Sequence, residues 1–84
     1  MKLLKKTNSH AGILAELSQE LGSLNEEIIK YDHEIRYIEE LLVVTSGPAE
    51  DLLEDLNRNQ KKRNELNFRY SAVMKQFQEL KNAD

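Results

Sequence analysis

The apolar residues of this chain recur at alternating steps of three and four, and this spacing constrains the fold more than any other feature. In the first half they are Leu14, Leu17, Leu21, Leu24, Ile28, Tyr31, Ile35, Ile38 and Leu42. In the second half they are Leu52, Leu56, Leu66, Tyr70, Val73, Phe77 and Leu80. Such alternation is the heptad repeat of a helix that packs lengthwise on another helix. The sequence therefore predicts an all-α fold, and these sixteen residues are its predicted seam.

A single break interrupts the helical pattern, at the stretch Thr-Ser-Gly-Pro near the middle of the chain. Proline suits the first position of a helix, where its missing N–H costs nothing, and glycine is an acceptable N-cap. Pro48 is therefore predicted to begin the second helix, with Gly47 as its N-cap. The acidic residues that follow suit the positive end of a helix dipole.

These boundaries predict one helical-hairpin domain over residues 1–84. Helix one is expected over about residues 9–44, the turn over about 45–47, and helix two over about 48–81. A connection of about three residues between two helices normally makes them antiparallel. The predicted architecture is thus an antiparallel two-helix hairpin with coiled-coil-like packing.

The charges that flank the seam predict how the two helices align. Antiparallel packing of the heptads sets Glu34 against Lys62 and Glu27 against Arg69. Both pairs are complementary, although exposed pairs contribute only about 0–1 kcal/mol each. Arg63 interrupts the second seam, where it can stack on a tyrosine or reach one of these two glutamates.

A two-helix hairpin leaves one side of every seam residue partly wet, so its burial does not offset the entropy of ordering the chain. We therefore expect completion by a partner, or by dimerisation into a four-helix bundle. Apolar residues off the seam mark the candidate surfaces. The predicted partner-binding set is Ile29, Val43, Leu53 and Met74. An alternative patch on the other side of the hairpin is Ile13, Tyr37, Leu41 and Val44.

Composition argues against several classes of function. The chain has no Cys and a net charge of −3, and no nucleophile–base pair, phosphate-binding loop or metal-ligand set is evident. His33 falls on the outer face by the heptad count, away from any inward-facing metal site. We expect no enzymatic activity, cofactor, metal, small-molecule ligand or nucleic acid. The longest apolar run, residues 41–44, is far below the roughly 20 residues of a membrane span, so we expect a cytoplasmic protein without membrane insertion.

Two functional hypotheses follow from this pattern. The first is an adaptor or chaperone-like module that buries its grooves against another protein's amphipathic helix. The second is a structural homodimer that assembles larger parts. A concentration series in the analytical ultracentrifuge separates a tight homodimer from a marginal species with exposed apolar surface.

The segments "SGPAEDLLEDL" and "NFRYSAVM" resemble parts of the small co-chaperones of type III secretion needle subunits. Those proteins are helical hairpins of similar length, with a Gly-containing tight turn and a Tyr-bearing amphipathic second helix. The resemblance covers about residues 20–80 and lies in the pattern of residues. It implies a cytoplasmic heteromeric complex that keeps a secretion substrate soluble.

Overall fold

The computed structural model describes the backbone over residues 2–83 and the side chains over residues 11–83. Two helices account for nearly all of it, α1 (Lys2–Val44) and α2 (Glu50–Asn82). They pack side by side as an antiparallel hairpin, which confirms the predicted all-α fold. The molecule measures 69 × 15 × 14 Å, and its radius of gyration of 19.3 Å far exceeds the about 12 Å of a compact domain of this length. It is a rod.

Both helices begin elsewhere than the sequence pattern predicted. Helix one starts at Lys2 instead of about residue 9, since the stretch before residue 9 is rich in Lys and Leu, which favour helix, and lacks Gly and Pro. Helix two starts at Glu50 instead of Pro48, and it ends at Asn82. The turn therefore spans residues 45–49.

The N-cap of α2 is Ala49, so the prediction that Gly47 caps a helix beginning at Pro48 is wrong. Ala49 has φ −127° and ψ 36°, and its carbonyl accepts a hydrogen bond from the Leu53 N–H at 2.9 Å. The chain must cross the about 8–10 Å between two packed helix axes, and Pro48 belongs to that crossing. No described residue adopts a positive φ, so this reversal does not require glycine.

At the other side of the turn, Thr45 closes α1. Its N–H donates to the carbonyl of Leu41 at 2.9 Å, and its hydroxyl donates to the same oxygen at 2.6 Å. Two donors on one carbonyl satisfy an acceptor that the end of a helix would otherwise leave to water. The first helix therefore ends by its own hydrogen bonds.

The interior of the hairpin is a single row of side chains between the two helices. All sixteen predicted seam residues are buried or half-buried. The most buried are Leu21, Leu24, Ile35, Ile38, Leu66 and Val73, at 3–8% exposure. No described side chain falls below 2% exposure, because each seam residue has a helix on one side only. The core is thin along its whole length.

Among the described side chains, two ion pairs join the helices, and neither is one that the heptad count predicted. Arg69 Nη2 lies 3.7 Å from Glu20 Oε2, instead of pairing with Glu27. Arg63 Nη1 donates to Asp32 Oδ1 at 3.2 Å, although a glutamate or tyrosine partner was expected. Glu20 and Glu27 lie one heptad, about 10 Å, apart along the helix, so the heptad count treats them as equivalent partners for Arg69.

The remaining predicted pair does not form either. Within the described part of the chain, no ion pair joins Glu34 and Lys62. Arg63 is the better anchor of the alignment, because its side chain is only 30% exposed and it occupies a seam position. A partly buried charge pair at one seam position penalises any other alignment of the two helices.

Candidate docking surface at the turn end

Five apolar residues group at the end of the rod that carries the turn. Tyr37, Val43, Val44 and Leu53 are 56%, 85%, 76% and 54% exposed, and Leu41 is half-buried. They lie within about 11 Å of the turn along the axis, at 1.5 Å per residue. We call these five residues the turn-end patch. Single exposed apolar residues are common, whereas a group of them marks a surface that another molecule covers.

The turn-end patch draws on both predicted surfaces. Val43 and Leu53 come from the predicted partner-binding set, and Tyr37, Leu41 and Val44 come from the alternative patch. The heptad count sets the two groups on opposite sides of the hairpin, but Val43 and Val44 are adjacent in the chain and link them. What the five residues share is therefore their short distance from the turn.

The same end of the rod is strongly acidic. No Lys or Arg occurs between Arg36 and Arg58, and this interval holds six carboxylates, Glu39, Glu40, Glu50, Asp51, Glu54 and Asp55. We call them the acidic rim. Among them, only Asp55 forms an ion pair within the described residues, with Arg58 at 3.3 Å. The other five leave their charge available to a cationic partner.

The remaining predicted surface residues lie elsewhere along the rod. Ile29 is 44% exposed, about 20 Å from the end of α1. Met74 is half-buried and packs against the core cluster, so it offers less free surface than its off-seam position suggested. Ile13 is 46% exposed and lies at the opposite end, where the helix termini meet.

Ile13 lines a mostly apolar hollow between the two helices at this open end. The other lining residues are Leu17, Gln76, Glu79, Leu80 and Ala83, and the hollow has a volume of about 470 Å³. It is open to solvent on one side. An apolar or aromatic side chain from another molecule can rest in such a space.

Sequence reasoning missed the exposure of Phe68. This ring is 80% exposed and borders a shallow, mostly apolar hollow on α2 that Asn64 and Lys61 also line. Its heptad position, opposite the seam, was the signal that could have identified it. Phe68 stands about 28 Å from the turn along α2, apart from the turn-end patch.

The described side chains contain no group of three or more His, Asp or Glu that could hold a metal ion. His33 is exposed, as its outer heptad position predicted. Over the described residues, neither helix contains a stretch apolar enough to cross a membrane. The chemistry that this surface offers is therefore apolar contact surrounded by negative charge.

Comparisons with protein-family models, curated proteins and solved structures found no match to this chain. The resemblance to type III secretion co-chaperones therefore stays a prediction.

Proposed function

We propose that this hairpin is a non-enzymatic protein–protein interaction module of the cytoplasm, and that the turn-end patch docks an amphipathic helix. The observation that carries this proposal is the grouping of Tyr37, Leu41, Val43, Val44 and Leu53 at one end of the rod, four of them more than half exposed. Helices that dock into apolar grooves use anchors spaced at i, i+3, i+4 and i+7. On the hairpin, which receives the helix, Tyr37, Leu41 and Val44 lie at i, i+4 and i+7 of α1.

The acidic rim indicates which helices the patch accepts. Five unpaired carboxylates beside an apolar surface attract Lys and Arg and repel Asp and Glu, which sets both association rate and specificity. The expected partner is therefore a cationic amphipathic helix. Because the proposal specifies the sign of the partner's charge, it can be tested without knowing the identity of the partner.

The experiment is a fluorescence titration with two synthetic helical peptides, one built from Leu and Lys and the other from Leu and Glu. The chain has no Cys, so Val44→Cys supplies a unique site for an environment-sensitive dye. We expect the Leu–Lys peptide to shift the emission of this dye to the blue at nanomolar protein, and the Leu–Glu peptide to leave it unchanged.

A second labelled protein serves as the control for nonspecific adsorption. Phe68→Cys places the same dye at a position as exposed as Val44 but outside the turn-end patch. The dye at this position should respond to neither peptide. Equal responses at both positions, or no response at position 44, would contradict the proposed function.

A further inference from the structure

We propose that the amphipathic helix docked at the turn end is the first ten residues of a second copy of this chain. In the resulting dimer, two rods pack antiparallel, and each places its N-terminal segment beside the turn of the other. This inference rests on the proposed function, and it goes further by naming the partner and the geometry. Three observations support it.

The first observation is that the rod is electrically polar. Residues 1–15 carry Lys2, Lys5 and Lys6 and no acidic residue, while the turn end carries the six carboxylates of the acidic rim. The rest of the chain is balanced, with nine Lys or Arg and nine Asp or Glu. Antiparallel packing of two such rods brings opposite charges together at both ends, whereas parallel packing brings like charges together.

The second observation is a match in length. α1 has 43 residues and α2 has 33, and the end of α2 lies beside Ile13. About ten residues of α1 therefore extend past the end of α2, a length of about 15 Å. The turn-end patch occupies a similar length at the opposite end. In an antiparallel pair each extension thus lies along the part of the patch formed by Tyr37, Leu41 and Val44, and its sequence includes the apolar residues Leu3 and Leu4.

The third observation concerns the hollow at Ile13. Suppose that residue 4 of one copy lies beside Val44 of the other. Residue 13 is about 14 Å from residue 4 along α1, and Tyr37 is about 10 Å from Val44. Ile13 of the first copy then lies near Tyr37 of the second. Tyr37 is more than half exposed, and the hollow is open to solvent. The tyrosine ring of each copy can therefore rest in the hollow of the other.

The heptad count places Ile13, Tyr37, Leu41 and Val44 on one side of the hairpin. In the single chain, Ile13 is about 36 Å from Tyr37 along α1, so they form no continuous surface. Antiparallel pairing joins the two ends into one interface, and the two-fold symmetry repeats each contact. This arrangement explains why apolar residues are exposed at both ends of the same side.

The main experiment reverses charge at one end, at both ends, or in the middle, and measures the dimer dissociation constant by sedimentation equilibrium. The N-terminal variant is Lys2→Glu, Lys5→Glu and Lys6→Glu. We expect the dissociation constant to rise about 100-fold or more, because like charges then meet across the interface.

The variant of the acidic rim changes its five unpaired carboxylates, Glu39, Glu40, Glu50, Asp51 and Glu54, to Lys, which turns the charge of the rim from −6 to +4, and we expect a similar loss. Combining both sets in one chain inverts the polarity of the rod and restores opposite charges at the two contacts. We expect this combined chain to dimerise within about tenfold of the wild type, since the interaction depends on the product of the charges.

The matched control is Lys30→Glu, Lys61→Glu and Lys75→Glu, three exposed mid-rod changes that alter the net charge as much as the N-terminal variant. It should change the dissociation constant far less. A wild-type chain that stays monomeric to several hundred micromolar would overturn the proposal. So would a combined chain that dimerises no better than either single-end variant.

A crosslinking measurement fixes the geometry independently of charge. We mix Leu4→Cys and Val44→Cys chains under mild oxidation and expect disulfide heterodimers between them, because the two positions are about 60 Å apart within one chain and meet only between copies. Leu4→Cys mixed with Asn64→Cys is the control and should give none. Parallel packing would instead give homodimers linked 4–4 and 44–44.

The two proposals fail in different ways. If the dye at position 44 responds to the Leu–Lys peptide but the 4–44 crosslink is absent, the turn end docks a cationic helix from another protein, and the second-copy inference is overturned. If the dye responds to neither peptide, the proposed function itself fails.

Discussion

The middle of the hairpin and its turn end carry the same heptad repeat, but they differ in how much of their apolar surface is exposed. In the middle, Leu21, Leu24, Leu66 and Val73 form a continuous cluster of buried side chains, and Arg63 bonds Asp32 across the seam. At the turn end the seam continues through the buried Ile38, but Tyr37, Val43, Val44 and Leu53 are more than half exposed, and five of the six carboxylates of the acidic rim form no ion pair within the described residues. The difference teaches that the apolar content of a segment does not reveal whether it holds the hairpin together or serves another molecule.

The largest expected contrast between the regions comes from placing a carboxylate in each. Leu24→Asp should destabilise the hairpin by about 3–5 kcal/mol, because it buries an unpaired charge in the seam. Val44→Asp should change the free energy of unfolding by no more than about 0.5 kcal/mol, because this residue is exposed. Urea denaturation followed by circular dichroism at low micromolar protein measures both. Equal unfolding would show that the turn end is part of the folding core.

A smaller effect of opposite sign is expected at Gly22. An added Cβ at this position meets nothing within 4 Å, so Gly22→Ala should stabilise the chain by about 1 kcal/mol through helix propensity alone. Thermal denaturation measures the gain. A loss of stability would mean that this face of α1 needs close approach by another helix, which would move the partner surface away from the turn end.

The Arg63–Asp32 pair provides a third test, confined to the middle. A double-mutant cycle with Arg63→Ala and Asp32→Ala should give a coupling energy of about 0.5–1 kcal/mol, since both groups are partly screened by solvent. The same cycle with Arg69 and Glu27 should give none, because Arg69 bonds Glu20. A coupling energy for Glu27 larger than that for Asp32 would favour the alignment derived from heptads alone.

The smallest effect is expected in the turn. Gly47→Ser should change stability by less than about 0.5 kcal/mol, because Gly47 has no positive φ and an added Cβ meets nothing within 4 Å. Gly47→Asn is the parallel substitution and should behave alike. Chemical denaturation of the three chains side by side measures the difference, and a loss above about 1 kcal/mol would indicate a strained turn.

The sequence pattern was sufficient to predict the fold, because apolar spacing at three and four can be satisfied only by helices that pack lengthwise. It placed the reversal of the chain correctly between Val44 and the acidic stretch. It could not locate the starts of the helices, since Lys2 and Glu50 are decided by local hydrogen bonding and by the distance that the turn must cross.

The candidate surface was less predictable than the fold. The heptad count identifies which residues lie off the seam, but it gives no measure of how far each one projects into solvent. Leu41 and Val44 were equivalent candidates in the sequence, yet one is half-buried and the other is 76% exposed. The grouping at the turn end depends on distance along the rod, which a search by helical face does not weigh.

The rod shape has a hydrodynamic consequence. A body of 69 × 15 × 14 Å has a high frictional ratio, so the single chain should elute from a gel-filtration column ahead of a globular protein of 9.8 kDa. Two rods side by side are thicker but hardly longer, so their frictional ratio falls even as the mass doubles. End-to-end association would raise it instead, and the sedimentation velocity of one concentrated sample therefore tells the two assemblies apart.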